Sequence, residues 1–154
     1  AILALNEGSV SLLSPLSLQR LAGLHAQASL HRVVEREGEV IGFLLAFRDG
    51  ADYDSPNYRW FTERHPRFLY VDRVVVADAA RGCGVGTLLY RDMFEFAAAS
   101  AVDLVTCEFD VDPPNLASER FHARFGFREV GRQWVADGRK QVSLQAAPVQ
   151  GENR

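Results

Sequence analysis

Three consecutive valines, Val74-Val75-Val76, lead into Ala77-Asp78-Ala79-Ala80-Arg81-Gly82-Cys83-Gly84-Val85-Gly86-Thr87, and this passage from apolar strand to glycine-rich turn constrains the chain more than any other stretch. Glycines at 82, 84 and 86 remove side chains where successive backbone N–H groups must turn toward one point. A helix starting near Val85 adds its positive end. The expected product is a cradle for an anion, best filled by a phosphate. Spacing excludes two familiar phosphate binders. A dinucleotide fingerprint G-x-G-x-x-G needs glycine at 87 or 89, where Thr87 and Leu89 stand. A nucleotide P-loop needs Gly-Lys-Ser/Thr, but Gly86 is followed directly by Thr87 and the chain's only lysine is Lys140.

The 154 residues suit a single domain over residues 1–147, with 148–154 expected as a disordered tail. The formal charge of -3 and the scattered arginines argue against a general affinity for nucleic acid. Cys83 and Cys107 show no metal-ligand spacing and read as free thiols, so no metal is expected. No apolar run is long enough to span a membrane, and the opening residues carry Glu7 but no basic segment, so neither a span nor a signal peptide is expected. A cytoplasmic setting follows from that reading.

In chain order, residues 1–13 and 16–28 read as two short helices split by Ser14-Pro15. Residues 32–36 and 40–48 read as strands joined by Glu37-Gly38-Glu39, hence an antiparallel pair. Residues 49–66 form a long connection rich in rings: Tyr53, Tyr58, Trp60 and Phe61. Those rings either pack on the domain's own core or a dimer partner, or form a lid over a pocket. Residues 68–76 are the central strand, interrupted by the charged pair Asp72-Arg73. A helix over 85–99 presents Leu89, Met93 and Phe96 to the sheet. A strand over 102–110 follows, then a helix over 116–125 with Asn115 as N-cap and Gly126 as C-cap. Strands over 127–132 and 141–146 close the chain around Asp137-Gly138.

The pattern R-x-x-G-x-G at Arg81-Gly82-Cys83-Gly84-Val85-Gly86 resembles motif A of the GCN5-related N-acetyltransferases (GNAT). Asn115-Leu116-Ala117-Ser118-Glu119-Arg120-Phe121-His122-Ala123-Arg124-Phe125-Gly126-Phe127 resembles their motif B, in the expected order. The resemblance spans about residues 16–146 and implies an α/β fold of GNAT type, with a mixed, mostly antiparallel central sheet flanked by helices. It implies acetyl-CoA as cofactor. Val74, Val75 and Val76 would pair with its pantetheine arm, and Arg81, Gly82, Cys83, Gly84, Val85, Gly86 and Thr87 would hold its pyrophosphate. Asn115 and Ser118 are further cofactor-binding candidates. The family usually begins with a strand before its first helix, and nothing before Ile2 supplies one.

The implied reaction is direct transfer of the acetyl group to a primary amine of a small molecule, amino acid or peptide. A neutral amine attacks a thioester and a thiolate with pKa of about 8.5 leaves, so one group must take a proton and another can give one. The family commonly carries a tyrosine donor where this chain has His122, an imidazole of ordinary pKa about 6.5. His122 therefore stands as candidate acid or as a residue that merely hydrogen-bonds the cofactor or the helix. Glu108 is the first candidate base and Asp72 the second, against the plainer reading that each pairs with an arginine. The alternative function is a catalytically silent acyl-CoA-binding sensor or regulatory module. A homodimer is an open expectation.

Overall fold

In the computed structural model, residues 1–7 and 17–150 are described. The order is α1 (Ile2–Glu7), α2 (Leu18–Gln27), β1 (Leu30–Arg36), β2 (Glu39–Arg48), α3 (Pro56–Thr62), β3 (Phe68–Val76), α4 (Val85–Ala99), β4 (Leu104–Asp112), α5 (Leu116–Ala123), β5 (Arg128–Val135) and β6 (Lys140–Pro148). The expected helix break at Ser14-Pro15 lies outside the described residues. The strands form one sheet in the order β1-β2-β3-β4-β6-β5. Every pairing is antiparallel except β3 with β4. The expected mixed, mostly antiparallel sheet is therefore present.

Two apolar layers cover it. On one face α4 buries Val85, Leu89, Tyr90, Met93 and Ala97, and α5 adds Phe121 beside them. Each fully buried large side chain contributes roughly 1.5–3 kcal/mol. On the other face Leu24 of α2 and Tyr58 and Phe61 of α3 pack on Phe47, Phe68, Tyr70 and Leu144.

Two expectations are corrected. Residues 49–66 are not an irregular connection throughout, because Ser55 caps α3 by accepting from the Tyr58 amide and Pro56 opens the helix. Tyr58 and Phe61 are core residues. The chain also stays ordered past residue 147: β6 runs through Pro148, and buried Val149 donates its amide to the Asp103 carbonyl.

The parallel pair positions everything that follows. Phe68, Leu69 and Tyr70 match Leu104, Val105 and Thr106, and there the register ends, although β3 continues to Val76 and β4 to Asp112. The strands splay beyond Tyr70, so β3 keeps its bond to β2 out to Val76 while its other edge faces open space.

Candidate functional site

A cleft of about 870 Å³ fills the splay, lined by Val74, Val75 and Val76 of β3, Glu108 of β4, the turn before α4 and one face of α5. Gly82 and Gly84 have φ of +79° and +80°, the left-handed region that favours glycine. A Cβ at either would meet nothing within 4 Å, so both glycines front open space. Gly84 is the N-cap of α4, and among the described residues no side chain caps it. The amides of this first turn, which an α-helix cannot satisfy internally, remain for an anion.

Gly86 serves a different purpose. A Cβ there would stand 3.3 Å from Phe121 Cζ, so this glycine lets α5 approach the first turn of α4. Cys83 is exposed and absent from the cleft lining, and the Arg81 guanidinium pairs with Asp78 at 3.1 Å on the surface. Thr87, Val85, Asn115 and Ser118 do line the cleft. The Asn115 side chain accepts from the Ser118 amide at 3.3 Å and starts α5. A bare strand edge continuous with an open helix start fits an extended arm ending in a diphosphate, the shape of acetyl-CoA.

His122 lies inside this wall, only 5% exposed, among Tyr90, Phe109, Phe121 and Phe127. Its Nδ1 is 2.7 Å from the Ser118 carbonyl oxygen, which accepts only, so Nδ1 carries the proton. The Ser118 hydroxyl lies 3.2 Å from the same nitrogen. Nε2 then accepts from the Tyr90 hydroxyl at 2.6 Å. Burial lowers the imidazole pKa, partly offset by the Ser118 carbonyl. Neutral at physiological pH and occupied at both nitrogens, this ring is poorly suited to give a proton.

Asp72 and Glu108 occupy the far end of the cleft. Leu45 pairs with Arg73 and Ala46 with Val71, so Asp72 is the extra residue of a β-bulge. The bulge lets neighbouring side chains meet: Arg73 Nε donates to Asp72 Oδ2 at 2.6 Å, both nearly buried. Tyr53 also donates to Asp72, and Arg73 reaches Asn6 Oδ1 at 3.1 Å. Asp72 is thus spent on partners.

Among the described residues Glu108 has no cationic partner of its own. It is half-buried and accepts from Tyr70 through Oε2 at 2.7 Å. Burial pushes its carboxyl up to about 8; the bonds from Tyr70 and Asn57 oppose the rise, and the charges of Asp72 and Asp110 add to it. A carboxylate poised there takes protons near neutral pH.

Sequence reading brought Asp72, Glu108, His122, the valines and the glycine turn to one cleft, with only Cys83 outside its lining. It missed Tyr70, Tyr90 and Asn57. Ser55-Pro56 was the one local signal for the helix that carries Asn57; Tyr70 and Tyr90 meet their partners only in the folded domain.

Comparison with known proteins matches residues 6–127 to the family model described as "Acetyltransferase (GNAT) family". A phosphinothricin N-acetyltransferase of Streptomyces coelicolor is 50% identical over 58 residues, 38% of this chain and 33% of that protein. An N-acetyltransferase of Streptomyces griseus is 45% identical over 58 residues, 38% of this chain and 29% of that protein. The match thus spans about a third of each curated relative. The GNAT acetyltransferase structure from Streptococcus pneumoniae superposes with a TM-score of 0.71 at 18% identity, covering 97% of this chain and 92% of that one. At that identity the likeness concerns the fold.

Proposed function

Since the chain belongs to the acetyltransferase (GNAT) family, we propose that it is an N-acetyltransferase carrying an acetyl group from acetyl-CoA to a primary amine, with Glu108 as the base. The observation that supports this most is the divergence of β3 and β4, which lines one cleft with a bare strand edge, an open helix start and a poised carboxylate.

Bound acetyl-CoA supplies an activated acyl carbon as a thioester. The amides of Gly84 to Thr87 would take its phosphates, and the free edge of Val74 to Val76 would receive the extended arm. Glu108 takes a proton from the incoming ammonium and becomes the neutral acid, which leaves the amine with a free lone pair for attack. Asp72, held by Arg73 and Tyr53, keeps the bulge of β3 in place and is not the base. Tyr53, Ser55 and Asn57 border the end where the acceptor enters. His122 acts as a lock between α4 and α5.

The experiment is thiol release from acetyl-CoA across a panel of small amines, amino acids and peptides, beside calorimetry of cofactor binding. Amine-dependent release supports the enzyme. The commitment of both His122 nitrogens favours one second reading, a silent acyl-CoA-binding module, which calls for binding with no release on any amine.

A further inference from the structure

We propose that Arg124 of α5 is the side chain that neutralises the diphosphate of acetyl-CoA over the start of α4; this rests on the cofactor occupying the cleft as described above. Among the described residues four cationic side chains line the cleft: Arg73, Arg81, Arg124 and Lys140. Three of them already face a carboxylate, Arg73 with Asp72 at 2.6 Å, Arg81 with Asp78 at 3.1 Å and Lys140 with Asp110 at 3.7 Å. Arg124 has no carboxylate partner among the described residues, and its guanidinium carbon lies 5.8 Å from the centre of the Phe121 ring. A cation in a cleft wall with no anion of its own is available to one that a ligand carries.

Helix packing puts that guanidinium beside the anion cradle. The two helices meet turn for turn: a Cβ on Gly86 would lie 3.3 Å from Phe121 Cζ, the Tyr90 hydroxyl bonds His122 at 2.6 Å, and Phe94 stacks on Phe125 with ring centres 6.0 Å apart. Side chains of a helix lean back toward its N-terminus, and Arg124 keeps helical dihedrals, so it returns to the level of Phe121 three residues earlier. That level is the first turn of α4, where Gly86 is the second residue. The guanidinium and the open amides therefore border one stretch of the cleft.

Charge balance calls for such a group. A helix start offers roughly half an elementary charge, whereas each phosphate of a diphosphate is an anion at neutral pH. Backbone amides alone leave most of that charge uncompensated. A guanidinium supplies a full charge and paired, coplanar N–H donors that match two phosphate oxygens. Arg124 is exposed, so solvent screening holds its contribution to the low end of the range for a charged hydrogen bond, about tenfold in affinity.

The test is calorimetry of coenzyme A with the parent chain, Arg124→Gln and Arg124→Lys, with 3′-dephospho-coenzyme A as second probe. Arg124→Gln is expected to raise Kd about tenfold for both probes, and Arg124→Lys by less, because the charge survives while the paired donors do not. The difference between parent and Arg124→Gln should shrink as salt rises from about 0.05 M to about 0.5 M. An unchanged Kd in Arg124→Gln, or a loss that salt does not diminish, overturns the proposal. A loss with coenzyme A that disappears with the dephospho probe moves Arg124 to the 3′-phosphate and overturns the diphosphate assignment. Arg81→Gln is expected to cost less than Arg124→Gln, since Asp78 already holds that guanidinium, and the reverse order also overturns it. No amine enters these measurements. A chain that binds coenzyme A but releases no thiol on any amine ends the N-acetyltransferase reading and leaves Arg124 in place, whereas tight binding that ignores Arg124→Gln ends this inference alone.

Discussion

The two ends of the cleft are built from different materials. The end proposed for the cofactor is backbone: glycines at positive φ, amides of α4 that no described side chain caps, and the edge of β3 beyond its pairing with β4. The end proposed for the acceptor is side chain, with Glu108 from β4 bonded by Tyr70 from β3, and Asn57 from α3 held by Gln133 from β5. Backbone recognition needs a particular conformation over a few consecutive residues. Side-chain recognition needs distant segments brought together. The first should therefore fail through affinity, the second through rate and its dependence on pH.

The largest expected effect falls on the side-chain end. Glu108→Gln should lower kcat by about 10³-fold while the Kd for acetyl-CoA stays within about threefold, checked by steady-state kinetics and calorimetry. Comparable losses of both quantities would break the division between the ends.

Next comes the backbone end. Gly84→Asp places a side chain at φ of +80° and a negative charge against the anion cradle, and should weaken acetyl-CoA binding by about 10²-fold. The rate at saturating cofactor should stay near that of the parent. A fall in kcat with unchanged Kd would show that the glycine turn does not hold the cofactor.

A pH series sharpens the same contrast. Because Glu108 must be ionised to act, kcat/KM should fall about tenfold per unit below pH of about 8, whereas cofactor affinity should show no limb there. Stability moves in the opposite direction. A carboxyl raised from 4.5 to about 8 binds its proton more tightly folded than unfolded, so its contribution is full below pH 4.5 and lost as pH rises to 8. Thermal melts between pH 5 and pH 9 should show the parent losing more than Glu108→Gln; equal losses would place the carboxyl in an unperturbed state.

The smallest effect on rate is expected at His122, which borders the cleft but is bonded inward. His122→Phe should keep kcat within about threefold and cost about 1–3 kcal/mol of stability, since the Tyr90 hydroxyl and Ser118 carbonyl lose their partner. Denaturant unfolding and kinetics read the two together. A hundredfold loss of rate with stability intact would return His122 to the role of proton donor.

Much was legible in the amino-acid order. Val74-Val75-Val76 and the glycines after them announced strand, turn and helix start, because strand propensity, left-handed glycine conformations and helix capping are properties of near neighbours. Asn115 opened α5 on the same grounds, whereas the helix ends at Ala123 with Arg124 as its C-cap, short of the expected cap Gly126. Glu108 and His122 were both recognisable as titratable residues beside a cleft, yet nothing in their own segments distinguishes a poised carboxylate from a sealed imidazole. Tertiary structure decided that. Ionisation depends on burial and on the donors within a few ångström, and those come from residues 38 positions before Glu108 and 32 before His122, on elements that only the folded domain sets side by side.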